Sequence, residues 1–304
     1  MRHPRIDLNL VIALDALLAE RNVTRAADRM HITQSAMSGV LARLREYFDD
    51  PLLVPVGRTM QLTARAEGLI EPVRDIILRI DSTLGAQPEF DPATARRHLV
   101  IIASDYVTRV VLADVLRRVE ALAPGLTFDV RPTSEGMMQE LENGRVDFMV
   151  VPAHLALPDQ PQQVLFEDTY KVLACAQHPD LKSGITLAQY LGLGHVAYQN
   201  EKGANPWFEQ WYANQHGATR RIEVLAHSFA LIPRFIVGTR RITTIQTRLA
   251  NQFAQSMPVR LLEPPMPTPR LTEVLQWQRY RADDPAIQWV RDRIVAAAHA
   301  LPEI

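Results

Sequence analysis

Residues 22–48, NVTRAADRMHITQSAMSGVLARLREYF, decide how this chain is read. The stretch spells two short helices, the first from about Thr24 to Met30, joined by a tight turn. Thr33 is placed to cap the second, which runs to about Phe48. Ala36, Val40, Leu44 and Tyr47 are expected to line its packed face, leaving Gln34, Ser35, Ser38 and Arg45 to project elsewhere. That is the layout of a helix-turn-helix, whose second helix enters the major groove of duplex DNA. Upstream, Asp7 can cap a helix from Leu8 to about Glu20, with Leu10, Leu14, Leu17 and Leu18 at helical spacing.

Working outward, residues 49–57 hold Pro51, Pro55 and Gly57 and read as turn-rich, with GRTMQL after them as a small β-wing. Thr63 caps the next helix, ARAEGLIEPVRDIILRIDSTL. Its apolar residues Leu62, Ala66, Leu69, Val73, Ile76 and Ile80 alternate steps of four and three, which is a heptad seam. The seam is read as a dimerisation surface through Leu69, Val73, Ile76 and Ile80. The alternative is a helix packed on its own domain. Pro72 removes one backbone hydrogen bond and is expected to kink the helix. A polar linker, AQPEFDPATA, follows at 86–95.

From His98 the pattern becomes strands alternating with helices. LVIIAS, LTFDVRP, VDFMVVP, YKVLACA, HVAYQ, RIEVLAH, ITTIQ and LTEVLQW read as strands, and DPAIQWVRDRIVAAAHAL as a closing helix. Such alternation predicts an α/β domain with mostly parallel sheets. Turn-rich crossings near 167–170 and 264–270 predict two lobes joined by a double hinge, with a small-molecule cleft beyond the strand ends. The expected organisation is an all-α winged helix-turn-helix at 1–62, a linker helix and hinge at 63–96, and a two-lobed α/β domain at 97–304. Lobe 1 covers about 97–168 and 270–304, and lobe 2 about 169–269.

A chain of 304 residues fits about two domains, far more than a DNA reader needs. The formal net charge of −1 excludes binding to nucleic acid by bulk charge, so contact must be local. Nearly all positive charge is Arg, which suits bidentate contacts to phosphate and guanine; Lys171, Lys182 and Lys202 are the only lysines. Cys175 is the single cysteine, so no intramolecular disulfide and no cysteine-rich metal site can form. No secretory signal and no apolar run long enough to span a bilayer is visible, so a soluble cytoplasmic protein is expected. No catalytic set, phosphate loop or metal pair stands out, so neither enzyme activity nor a cofactor is expected.

The segment DLNLVIALDALLAERNVTRAADRMHITQSAMSGVLARLREYFDDPLL, followed by LTARAEGL, resembles the LysR-type transcriptional regulators. Further on, IIASDY, GRVDFMVVP, LGHVAY, RIEVLAHSFALIP, TRRITTI and LTEVLQW look closest to the NodD-like and NahR-like branch. The resemblance covers nearly the whole chain. It implies a winged helix-turn-helix, a linker helix that pairs subunits, and a periplasmic-binding-protein-like effector domain. Such regulators bind promoter DNA as dimers or tetramers. A small effector (a flavonoid or an aromatic acid in this branch) changes the DNA bend or the contact with RNA polymerase. The chain departs from the common pattern at Leu53 and Pro55, at Ser35 where many members have Pro, and at Gly39 where many have Arg.

Against that background Gln34 and Ser38 are read as base contacts, with Thr33 and Ser35 beside them. Arg43 and Arg45 are read as phosphate contacts. Thr24 and Arg25 open the preceding helix, where side chains and free N–H groups can hold phosphate. Arg58 stands at the wing tip, in reach of backbone or minor groove. In the effector domain, Ser104, Asp105 and Tyr106 begin a helix whose N-terminus favours an anionic or polar ligand group. Asp105 serves equally well as a cap. Pro152 and His154 follow a strand towards the same cleft. His195, His227, Phe229 and Gln276 complete the candidate effector site, the two histidines being equally readable as structural residues. Met137 and Met138 are read as packing. A ligand-independent repressor of the same fold, or a cytoplasmic binding protein or enzyme with a helical cap, are the alternative functions.

Overall fold

The computed structural model of the chain describes residues 7–56, 59–84, 90–199, 207–217 and 219–304. The chain divides into two compact units, Met1–Gln87 and Pro88–Ile304. The first contains α1 (Leu8–Glu20), α2 (Val23–Arg29), α3 (Gln34–Phe48), β1 (Leu53–Val56), β2 (Thr59–Leu62) and α4 (Ala64–Leu84). Side-chain caps set where its helices begin. Asp7, Asn22 and Thr33 accept the N–H groups of Leu10, Arg25 and Ala36 at 2.9, 3.0 and 3.2 Å. Thr63 accepts that of Ala66 at 3.1 Å. Each satisfies a donor that the helix itself leaves orphaned.

One apolar core joins these elements. It takes Leu10, Leu14 and Leu17 from α1, Ala26 and Ala27 from α2, Met37, Leu41 and Leu44 from α3, and Ala66 and Val73 from α4. The packed face of α3 is therefore turned from the expected one. Met37, Leu41 and Leu44 are buried, Val40 and Tyr47 are half-buried, and Ala36 is exposed. Met37 has far more apolar surface to remove from water than Ala36, so the helix rotates to bury it. Part of the turn-rich stretch is strand, since β1 begins at Leu53 and pairs antiparallel with β2.

The heptad seam divides along its length. Val73 is 5 % exposed and lies in this unit's own core, and Leu69 packs against the same core. Ile76 is exposed and Ile80 half-buried. The upstream half of the seam thus serves intradomain packing, with α4 lying along α1. α4 runs unbroken through Pro72.

The second unit opens with β3 (Arg97–Ile102). A continuous helical run follows: α5 (Asp105–Val107), a π turn (Thr108–Leu112) and α6 (Ala113–Leu122). Then come β4 (Leu126–Arg131), α7 (Met137–Glu142), β5 (Phe148–Pro152), β6 (Gln162–Asp168), β7 (Tyr170–Cys175), α8 (Leu187–Gly192) and β8 (His195–Tyr198). The chain closes with α9 (Trp207–His216), β9 (Ile222–Ala226), α10 (Ile232–Ile236), β10 (Ile242–Gln246), α11 (Thr247–Ser256), β11 (Val259–Leu262), β12 (Leu271–Trp277) and α12 (Pro285–His299). Two five-stranded sheets result, ordered β4-β3-β5-β12-β6 and β11-β7-β10-β8-β9.

The sheets are mixed rather than mostly parallel. β3 pairs in parallel with β4 and β5, but β12 is antiparallel to both β5 and β6. In the other sheet β8 is parallel to β9 and β10, while β7 is antiparallel to β10 and β11. The antiparallel strands are those that carry the chain between lobes. One crossing is the single residue Thr169, between β6 and β7; the other is 263–270, between β11 and β12. β3 explains why its sequence is apolar without alternation. Leu99 and Ile101 join the main core, and Val100 and Ile102 a second cluster with Leu141, so both faces are covered.

Candidate DNA-reading face and effector cavity

On α3, Gln34, Ser35, Ala36, Ser38 and Gly39 are all exposed. Thr33 both caps this helix and sits 3.0 Å from the Ser35 hydroxyl. A side chain at Gly39 would meet nothing within 4 Å. The result is an open, uncharged helix face with amide and hydroxyl groups, chemistry that reads base edges.

The basic residues are arranged differently from expectation. Arg45 donates to the carbonyl oxygens of Pro51 and Leu53 at 2.8 and 2.9 Å, clamping the approach to the wing. Its guanidinium is committed to structure. Arg25 folds back on α1, donating to the Glu20 carbonyl at 2.5 Å and pairing with its carboxylate at 3.3 Å. Its backbone N–H is taken by Asn22, so that group is not free for a phosphate, while the side chain remains exposed. Thr24 is exposed. Arg43 is exposed and lies 3.5 Å from Asp7. Arg58 lies outside the described residues.

In the second unit a cavity of about 340 Å³ opens between the two sheets, lined from both lobes. Ser104, Tyr106, Pro152 and His154 enter it from strand ends of the first lobe, and Phe229 from the second. Its walls are rich in rings. Tyr198 and Phe229 stack at 3.9 Å with an interplanar angle of 9°, and Tyr106 meets Phe229 edge-on at 6.1 Å. The Tyr106 hydroxyl donates to Asp168 at 2.5 Å, next to the Thr169 crossing. Burial and the neighbouring acids push the Tyr106 phenol far above its usual range, and burial raises the Asp168 carboxyl. Burial also lowers His154.

Ser104, not Asp105, caps the helix, accepting the Val107 N–H at 3.2 Å. The Asp105 carboxylate reaches across to the other lobe, where Ser228 Oγ and Ala230 N donate to it at 2.7 and 3.0 Å. It thus ties the lobes together beside the cavity. The helix donor at Val107 is taken by the Ser104 hydroxyl, and the Asp105 carboxylate is spent on the other lobe.

Three candidates are structural. His195 is wholly buried and does not line the cavity. Its Nε2 lies 2.7 Å from the Tyr190 carbonyl and must donate to it, while Nδ1 faces Arg220 at 3.2 Å and must accept. Burial first, and then Arg220, bring its pKa down to about 3. His227 is exposed and bonded to the Gln199 carbonyl at 2.9 Å. Gln276 is buried and pinned to both backbone groups of Leu157, at 2.9 and 2.7 Å. Its side chain replaces a strand partner for that loop and is not at the cavity rim.

Sequence reading missed several buried polar residues that line the cavity. Arg220 is 5 % exposed. It forms a bidentate ion pair with Glu209 and donates to Tyr190 Oη at 2.6 Å and Thr244 Oγ1 at 2.9 Å. It also lies over the Phe208 ring at 4.8 Å. Glu273, on β12, is 2 % exposed, and its Oε2 has no hydrogen-bond partner. Burial, reinforced by Asp168, raises its pKa to about 8. Gln246, at the end of β10, likewise leaves Oε1 unpartnered. The signal for Glu273 was an acid inside the apolar strand LTEVLQW; Arg220 left none.

Among the described residues, no helix is long and apolar enough to cross a membrane. Residues 8–67 match the family "bacterial regulatory helix-turn-helix protein, lysR family" and residues 92–298 the "LysR substrate binding domain". The chain is 40 % identical over 298 residues to nodulation protein D 1 of Bradyrhizobium sp. (strain NC92), spanning 98 % of this chain and 95 % of that one. It is equally close, at 40 % over 98 % and 95 % of the two chains, to nodulation protein D 2 of Rhizobium tropici. A probable transcriptional regulator of Pseudomonas aeruginosa superposes with a TM-score of 0.65 at 27 % identity, over 96 % of this chain and 97 % of that one. Full-length OxyR of the same organism shares the fold with a TM-score of 0.71 at 16 % identity, over 96 % and 95 %. Both parts of the chain therefore point the same way: it belongs to the LysR family of helix-turn-helix transcriptional regulators, DNA-binding proteins with an effector-binding domain rather than enzymes.

Proposed function

We propose that this regulator is switched by a small, flat, hydroxylated aromatic effector held between the lobes of its second unit. The observation that carries the reading is the cavity of about 340 Å³ walled by Tyr106, Tyr170, Tyr198, Phe208 and Phe229. Its volume lies in the range of about 300–1,000 Å³ typical of small-molecule sites. Effector binding shifts the population towards one lobe arrangement, and the change passes to the DNA-bound subunits. Gln34, Ser35 and Ser38 read base edges in promoter DNA, while Thr24, Thr33, Arg43 and Arg58 position the backbone. Copies of the chain associate through the outward part of α4, at Ile76 and Ile80, as a dimer or tetramer. The complex works in the cytoplasm and answers to RNA polymerase.

The experiment is fluorescence anisotropy on DNA from upstream of the chain's own gene, against shuffled DNA, across a salt series and with hydroxylated flavonoids added. Selective binding with a steep salt dependence is expected, and a footprint that changes with effector. A footprint and DNA bend unchanged at saturating effector would reject the switch. Equal weak binding to both DNAs, with and without effector, would reject the operator reading.

A further inference from the structure

The segment that joins the two units is less free than its composition suggests. AQPEFDPATA reads as a polar linker, yet from Phe90 onwards it lies against lobe 1. The Phe90 ring meets Trp289 of α12 at 5.7 Å, and Arg293 covers that same indole at 3.5 Å. Asp91 then closes a tight turn. Its side chain accepts Ala93 N and Thr94 Oγ1 at 3.1 and 2.9 Å, and its carbonyl accepts Ala95 N at 2.9 Å. Beyond the turn, the Ala95 carbonyl lies so close to Gly125, between α6 and β4, that no Cβ fits there. Last, Arg97 Nη1 donates to both carboxylate oxygens of Asp284 at 2.8 and 2.6 Å. Asp284 is also the cap of α12, accepting Ala286 N at 2.9 Å.

These anchors, at Trp289, Gly125 and Asp284, all belong to lobe 1, and two of them are on α12. That helix packs in turn against β6 and the π turn. β6 ends at Asp168, beside the Thr169 crossing, and the π turn carries Arg109, which donates to Gln252 of lobe 2 at 2.8 Å. α12 therefore touches both the joining segment and the elements that reach lobe 2. We propose that residues 90–97 are a strap that makes the linker follow lobe 1, and that Phe90 and Arg97 are positioning residues through which a change of lobe arrangement reaches the DNA-reading unit. Neither residue lines the cavity or belongs to the DNA-reading unit. They fix the direction in which the chain leaves the lobe. A linker free at these positions would absorb a movement of the lobe, whereas one held at several points passes it on. The inference rests on the switching of the lobes proposed above, not on the identity of the effector.

The test perturbs the lobes of the full-length chain in two ways. One adds a trihydroxyflavanone; the other, without any ligand, is Asp105→Ala, which removes the tie to Ser228 and Ala230. The readouts are affinity for upstream DNA and, by energy transfer between labelled ends, the bend of that DNA. Each perturbation is expected to change the bend and to shift DNA affinity by about fivefold or more when the strap is intact. In Phe90→Ala, and separately in Arg97→Gln, the shift should fall to about twofold or less, the cycle with Asp105→Ala isolating the coupling. Unperturbed DNA affinity and flavanone affinity should stay at their wild-type values. Phe90→Tyr and Arg97→Lys, which keep the ring and the charge, should retain the response. A full response in Phe90→Ala and Arg97→Gln overturns the strap. So does a loss of unperturbed DNA affinity or of flavanone affinity alongside the lost response, because it marks a merely structural role, and so does a Phe90→Tyr chain that fails to respond. A DNA bend that moves with Asp105→Ala but not with the flavanone overturns the effector reading, and the strap is then judged on Asp105→Ala alone. A bend that moves with neither overturns the lobe switch and the strap together.

Discussion

Glu273 keeps its proton to about pH 8 in the folded chain, against an ordinary value of 4.5. The unfolded chain releases that proton near pH 4.5, so between the two values the folded state holds one proton more. Stability contributed by this residue therefore falls as pH rises through that window. Replacing it with Gln removes the titration. The stability of Glu273→Gln relative to wild type is expected to rise between pH 5 and 7, by up to about 1.4 kcal/mol per pH unit. Urea unfolding at a series of pH values measures it, and a flat difference would contradict the buried protonated acid. The same residue shows what a sequence hides. An acid in LTEVLQW looks like the outward member of an alternating strand, but β12 is covered on both faces, Leu271, Leu275 and Trp277 lying in the main core and Val274 in the second cluster, so the strand has no outward side. Ser104, Tyr106 and Pro152 were legible because they follow strands, where clefts form. His195 and His227 were not, because the partners that hold them come from other elements.

Elements with their own caps were readable from sequence. Asp7, Thr33 and Thr63 sit immediately before α1, α3 and α4, and those starts agree with the structure. α11 went unread because Gln246 makes no side-chain cap. Its first N–H groups are taken by the Thr169 carbonyl at 2.8 Å and the Asp168 carboxylate at 3.3 Å, both far away in sequence. β6 went unread because its end, Glu167–Asp168, carries the charge of a turn while Asp168 is wholly buried. α9 depends on a similar long-range tie, the Arg220–Glu209 pair, whose side chains are 1 % and 13 % exposed. Glu209→Ala leaves a guanidinium buried without its counter-ion, and is expected to cost about 3–5 kcal/mol in urea unfolding. The double change Glu209→Leu with Arg220→Met should recover most of that loss. A loss below about 1 kcal/mol for the single change would mean that the pair is not what anchors α9.

At the scale of the effector domain, two lobes meet through few covalent crossings and a small number of polar ties. Asp105 supplies one of these ties, from beside Ser104 to Ser228 and Ala230, next to Phe229. Hydrogen bonds to a charged group contribute about 1.5–3 kcal/mol, so Asp105→Ala should speed dissociation of a bound trihydroxyflavanone by roughly tenfold or more. Stopped-flow displacement reads this directly; an unchanged dissociation rate would show that the tie does not hold the closed arrangement. The cavity wall is also joined to the crossing itself. The Tyr106 hydroxyl is held by Asp168, and the same carboxyl group accepts the Thr169 N–H at 2.7 Å. A molecule that presses on Tyr106 therefore acts on the pivot, while one that fits elsewhere in the same space does not. Affinity and efficacy become separate properties of a ligand. Two molecules that fill the cavity equally well can differ as agonist and antagonist, according to whether they displace one phenol ring.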